Sequence, residues 1–137
     1  MQERDEPKSR SGFAVAKKTF GYGILICFTF LLVAFLCICF SIRSSVKEIS
    51  TQATEQYPGD RIEALMTYVN SENHSLKQRN RSVWALGQIG DKRALATLEK
   101  FYTGEPCDHE SRLCQRELQK AIKQCKGSFN ATAWLPR

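Results

Sequence analysis

The absences narrow this chain first. It has no Gly-rich phosphate loop, no G-x-S-x-G elbow and no H-E-x-x-H. Phosphate-loop nucleotide binding, serine-type acyl transfer and zincin hydrolysis therefore lack the residues that run them. It has no C-x-x-C for thiol exchange and no C-x-x-C-H for haem attachment. No catalytic constellation remains, and neither an enzyme activity nor a cofactor is expected. Between Tyr22 and Ile42 there is no charge and no G-x-x-x-G; the second absence leaves helix pairing through this run without support. What is present is 137 residues with a formal net charge of +6, room for one small domain at most. The charge is spread along the chain among acids, so it does not by itself indicate nucleic acid, and none is expected as a partner.

Tyr22 to Ile42 reads Y-G-I-L-I-C-F-T-F-L-L-V-A-F-L-C-I-C-F-S-I. As a helix it is about 30 Å long, one hydrocarbon thickness. A cleaved signal peptide would have a shorter core and a small-x-small site. Here the run ends in Phe40-Ser41-Ile42-Arg43, which favours an uncleaved signal-anchor whose partner is the lipid bilayer. Lys8, Arg10, Lys17 and Lys18 precede the run closely, whereas only Arg43 and Lys47 follow it closely. That bias orients residues 1–20 as a cytosolic tail, 21–42 as the span and the rest outside the cytosol. Cys27, Cys37 and Cys39 read as small apolar fillers. Residues 43–59, with Val46, Ile49 and Ala53 at helical spacing, read as a solvated, partly helical tether; continuation of the membrane helix as a stalk is the alternative.

Beyond Pro58-Gly59-Asp60 the pattern becomes that of paired short helices. Ile62, Leu65, Met66 and Val69 form one stripe between Arg61 and Asn70, with Asp60 as its cap. Ser75-x-x-Gln78 is a capping box for the next helix. The central stretch, Arg79 to Leu98, is two helices joined by a corner at Gly90-Asp91. Ile62, Leu65, Tyr68 and Val69 recur as Leu95, Leu98, Phe101 and Tyr102 at an offset of 33. Leu118, Ala121 and Ile122 follow Ser82, Ala85 and Leu86 less closely at an offset of 36. Such periods mean stacked helix pairs.

R-x-x-S-V-W-A-L-G-Q-I-G-D-K-R-A resembles a HEAT-like repeat of the phycobilisome-lyase type, whose unit runs roughly V-R-x-x-A-A-x-A-L-G-x-I-G-D-x-R-A. Arg79, Ala85, Leu86, Gly87, Ile89, Gly90, Asp91, Arg93 and Ala94 match. Gln78, Ser82 and Val83 replace the usual apolar and alanine positions, and Lys123 and Lys126 stand where a following unit would place its glycines. The resemblance covers roughly residues 60–125, is to the repeat only and implies no lyase activity. The fold class expected is all-α: one transmembrane helix, then a short α-solenoid of about four antiparallel helices over residues 60–126, with 127–137 as a tail. The physics agrees. Gly87 inside a helix costs about 1 kcal/mol relative to Ala, so another helix is expected to cross closely there. Gly90 suits a left-handed position after a helix, and Asp91 suits the cap of the next.

The last predicted helix starts at Asp108 or Ser111, runs to about Lys126, and turns Cys114, Leu118, Ala121, Ile122 and Cys125 inward. Cys114 and Cys125 are too far apart on one helix to pair, about 16 Å by rise. Cys107 is the disulfide candidate for Cys114, and such a bridge would staple a solenoid too short to be stable alone. Cys107–Cys125 pairing and three free thiols are the alternatives. C-x-H-x4-C-x10-C, from Cys107, His109, Cys114 and Cys125, fits no common zinc module, and no metal is expected.

Lys77, Arg81, Lys92 and Trp84 form the candidate binding surface. Lys77, Arg79, Arg81, Lys92 and Arg93 cluster around the repeat, either as a solvated face with Arg79 bonding backbone carbonyls or as a site for an anionic partner. Asn73, Asn80 and Asn130 stand in N-x-S/T; the repeat type looks bacterial, and the sequons read as coincidental. Trp134 lies in the tail. The function expected is a membrane-anchored, extracytoplasmic interaction or scaffold module, in a bacterial inner membrane, with a protein partner. Thiol-dependent accessory chemistry and anionic lipid or nucleic-acid binding are the rivals.

Overall fold

The computed structural model describes residues 11–128. The candidate residues Lys8, Arg10, Asn130 and Trp134 lie outside them. Among the described residues the fold is all helical. Helix α1 spans Ser11–Gln56, α2 Arg61–Asn70, α3 Leu76–Ile89, a 3-10 turn Lys92–Ala94, α4 Leu95–Phe101 and α5 Gln115–Cys125. The chain divides into two units, with the break between Ile38 and Cys39.

In the first unit every side chain from Tyr22 to Ile38 is exposed. The helical stretch Tyr22–Gln56, to which these residues belong, is long and apolar enough to cross a bilayer. Cys27 and Cys37 share that exposure, whereas Cys39, in the second unit, is buried.

The second unit has one core, built from a stripe on each helix. Leu65 and Val69 of α2, Val83 and Leu86 of α3, Leu98 of α4 and Leu118 of α5 are all fully buried. Each contributes about 1.5–3 kcal/mol of transfer free energy. Helix α3 packs on both α2 and α5, and α4 packs on α2 and α5. Alternate helices therefore stack as in a solenoid. The offset of 33 corresponds to α2 and α4, and that of 36 to α3 and α5.

The helix starts follow their sequence signals. Asp60 Oδ1 accepts from the backbone N–H groups of Ile62 and Glu63, and Glu63 returns the bond to Asp60 N–H. Ser75 and Gln78 form the second capping box.

Two expectations are corrected. Residues 43–56 are not a solvated tether. They are helical, and Ile49, Ser50 and Ala53 are buried, Ala53 completely. The apolar positions at spacing four carry one stripe into the core, and a helix already nucleated upstream extends at little cost. The last helix begins at Gln115 rather than at Asp108 or Ser111. Asp108 instead closes a turn, accepting from Glu110 N–H at 3.0 Å and from the Ser111 hydroxyl. Cys114 is thus the residue before the helix and not a member of its stripe.

Candidate functional site

The corner between α3 and α4 shows why the central motif has its residues. Gly87 lies where α5 crosses: a Cβ there would stand 2.8 Å from Ala121 Cα and 3.0 Å from Ala121 Cβ. No side chain fits without parting the helices. Gly90 ends α3 with φ +68°, and its N–H bonds the Leu86 carbonyl at 2.9 Å. That left-handed turn is cheap only for glycine.

Asp91 then caps the 3-10 turn through Arg93 N–H at 2.9 Å and binds the Arg93 guanidinium. Arg93 also reaches Asp60 at 2.7 Å, tying the start of α2 to the start of the α4 segment. Both carboxyls are held below the ordinary aspartate range. The chief cause is the Glu63 N–H bond for Asp60 and the Arg93 side chain for Asp91. The Arg79 Nε donates to the Val69 carbonyl at 2.9 Å, and its guanidinium lies 5.4 Å from the Phe101 ring centroid. Ala94 and Leu86 are fully buried, and Ile89 packs against the core from the end of α3.

Of the four candidate surface residues, the structure brings three together. Lys77, Arg81 and Trp84 line a groove of about 630 Å³ with Ile49, Asn80 and Glu117. Lys77 and Arg81 are exposed and Trp84 is half-buried. Lys92 lies beyond the other end of α3, roughly 20 Å away by helical rise, and does not join them. The contribution of α1 through Ile49 has no clear sequence signal, because the polar residues around Ile49 have the composition of a tether.

The segment from Tyr102 to Cys114 is organised by a residue that periodicity does not flag. Gln115 is buried. Its Oε1 accepts from Thr103 N–H at 2.9 Å, and its Nε2 donates to the carbonyls of Phe101 and Leu113 at 3.2 and 3.1 Å. Asn80 Oδ1 accepts from Cys114 N–H at 2.8 Å. Asn80 is therefore engaged in structure, while Asn73 is exposed in a turn.

The Cys107 and Cys114 sulfurs lie 3.4 Å apart and both residues are free cysteines. No disulfide joins Cys107 and Cys114 in this structure, whereas the sequence reading expects one, and Cys107 Sγ accepts a further hydrogen bond. Arg116 N–H donates to it at 3.4 Å. That bond first, and the Cys114 thiol second, hold the Cys107 thiol below its usual range. The ligating atoms of Cys107, His109 and Cys114 all lie within 4.8 Å of one another. Cys125, by contrast, is directed at the Leu86 carbonyl at 3.7 Å, and burial pushes its thiol up to about 11. Of the four residues in the C-x-H-x4-C-x10-C spacing, three therefore lie together and Cys125 lies apart.

A second cluster has no sequence signal at all. The Tyr68 and His74 rings stack at 3.6 Å, and the Tyr57 hydroxyl meets His74 Nε2 at 2.9 Å. It joins the end of α1 to the loop after α2, and burial raises the Tyr68 phenol.

Comparison with known proteins agrees with the corner geometry. Residues 78–103 match the family model described as PBS lyase HEAT-like repeat. The match covers α3 from Gln78, the turn and α4, so the chain contains a HEAT-like repeat. No curated protein and no solved structure matches the chain.

Proposed function

We propose that the protein is a membrane-anchored HEAT-like repeat module that holds a protein partner outside the cytosol. The observation that carries the scaffold role is the repeat itself, matched over residues 78–103. Stacked helix pairs of this kind present continuous surfaces to other chains. The anchor is supported by an apolar stretch whose side chains from Tyr22 to Ile38 are all exposed. Water solvates such a band poorly and lipid solvates it well. The extracytoplasmic orientation rests on the lysine and arginine bias across that stretch.

The groove at Trp84 is the docking surface. It sets Lys77 and Arg81 beside a half-buried indole and one carboxylate, Glu117. Aromatic and basic anchors of this kind suit an acidic polypeptide segment.

Crosslinking in intact cells followed by mass spectrometry tests the proposal. The expected result is a protein crosslinked near Lys77 or Trp84, lost in the K77E/R81E variant. Recovery of crosslinks unchanged by that variant would remove the groove from the account. Recovery of no protein partner in repeated experiments would remove the scaffold role.

A further inference from the structure

We propose that Cys107, His109 and Cys114 form a three-ligand site for zinc(II), with the fourth position open to the cavity beside them. The inference is independent of the scaffold role.

Three features support it. The first is distance. Zinc–sulfur bonds of about 2.3 Å and zinc–nitrogen bonds of about 2.0 Å in a tetrahedron put ligand atoms about 3.5–3.8 Å apart. The two sulfurs are 3.4 Å apart, and no pair among the three ligating atoms exceeds 4.8 Å. His109 is exposed on a turn, so its ring closes the remaining gap of about 1 Å by side-chain rotation alone.

The second feature is how the sulfurs are held. The Cys114 backbone is tied to Asn80, and the segment around it is tied down by Gln115. Cys107 Sγ sits at the start of α5, an 11-residue helix without a side-chain cap. There it accepts the Arg116 N–H. Helix N-termini and N–H donors stabilise an anionic sulfur, the form in which cysteine binds metal. On binding, both thiols release protons as two zinc–sulfur bonds form, and no electron is transferred.

The third feature is access. Cys107 and His109 line a cavity of about 580 Å³ together with Tyr102, Glu105, Pro106 and Arg116. An ion can enter from solvent and keep a water as its fourth ligand. A disulfide would instead draw the two sulfurs to about 2.0 Å and remove both thiols as ligands. The bound ion would clamp the Tyr102–Cys114 segment to the start of α5, so that ordering of this end of the solenoid becomes metal-dependent.

The test uses the full chain, purified in detergent with a non-thiol reductant, and zinc or cobalt(II) alone as the probe. Native mass spectrometry is expected to show one zinc per chain, and cobalt(II) is expected to give the near-ultraviolet charge-transfer band of thiolate coordination. The H109A variant changes an exposed turn residue, so its circular dichroism stays that of the wild type. Its zinc affinity falls at least about tenfold. C107S loses most of the thiolate–cobalt intensity, and C125S loses none. Absence of stoichiometric metal would overturn the proposal, as would binding indifferent to both H109A and C107S. So would a chain isolated without reductant that carries a Cys107–Cys114 disulfide and no zinc.

Discussion

Replacing Gly87 by alanine separates packing from propensity. In a solvated helix this change stabilises by about 1 kcal/mol, because alanine orders at less entropic cost. Here the new methyl would stand 2.8 Å from Ala121 Cα and 3.0 Å from Ala121 Cβ, against an ordinary carbon–carbon contact of about 3.5–4.0 Å. The Gln124 amide oxygen, 2.6 Å away, is the tip of a flexible side chain and can move aside. The α5 backbone cannot move alone. Helices α3 and α5 must part by somewhat under 1 Å, loosening Leu86, Leu118 and Ile122 together. Overpacking of this kind costs about 1–3 kcal/mol. The expected outcome is a net loss of about 1–2 kcal/mol, several degrees in melting temperature for a unit this small. The A121G change should not restore the full loss in a double variant, since Ala121 Cα remains in the way. Urea unfolding of the full chain in detergent, followed by tryptophan fluorescence, reads the difference. The control is G23A, where a Cβ meets nothing within 4 Å. If G87A proved as stable as the wild type or more so, the close crossing of α3 and α5 would be wrong.

Two further outcomes follow from single groups. Ser82 Oγ is buried and has no hydrogen-bond partner among the described residues, in a position where the repeat pattern has alanine. S82A should therefore raise stability by about 1 kcal/mol, the cost of an unsatisfied buried hydroxyl, and an unchanged or lower urea midpoint would contradict this. The Asp91 carboxyl is held below its ordinary value of 3.8 by Arg93. A depressed carboxyl pKa contributes stability that is fully present well above that value and is lost as pH falls through the folded pKa. Stability measured between pH 5 and pH 2 should fall less steeply in D91N than in the wild type; an identical slope would show that the cap is not coupled to folding.

Much of the second unit was legible because its signals are local. The caps at Asp60 and Ser75, the left-handed Gly90 and the stripe of α2 each follow from a few adjacent residues and one backbone preference. The close crossing at Gly87 was legible too, since a glycine in mid-helix needs a reason. The features without a sequence signal depend on residues far apart in the chain. Val46, Ile49 and Ala53 have helical spacing, but the polar residues between them resemble a tether until α2 and α3 supply something to pack on. Gln115 carries no periodic signal, yet it settles the Tyr102–Cys114 segment through three hydrogen bonds. Asp108 satisfies the rules for a helix cap equally well in a turn, and the burial of Leu113 and Gln115 favours the turn. The pairing of Tyr68 with His74 depends on where a loop lands, which no spacing encodes.

On the proposed scaffold role, the outer face of α5 and the Trp84 groove offer a partner different surfaces. A solenoid stops when its last helix cannot accept another, and the usual device is a polar outer face. Helix α5 has that face: Arg116, Gln119, Lys120 and Lys123 are exposed, and Lys123 replaces the glycine a following helix would cross. Apolar side chains along α5 are turned inward, with Leu118, Ala121 and Ile122 buried. The end of the stack is therefore poorly suited to a further helix. The Trp84 groove is different, because it combines a half-buried indole with two cations and a wall from α1. His109 borders both this groove and the cavity beside Cys107. If zinc draws His109 toward the two sulfurs, the same side chain is withdrawn from the groove. Metal and partner would then compete for one residue, so zinc at saturating concentration should alter the yield of crosslinks at Lys77 in the wild type but not in H109A.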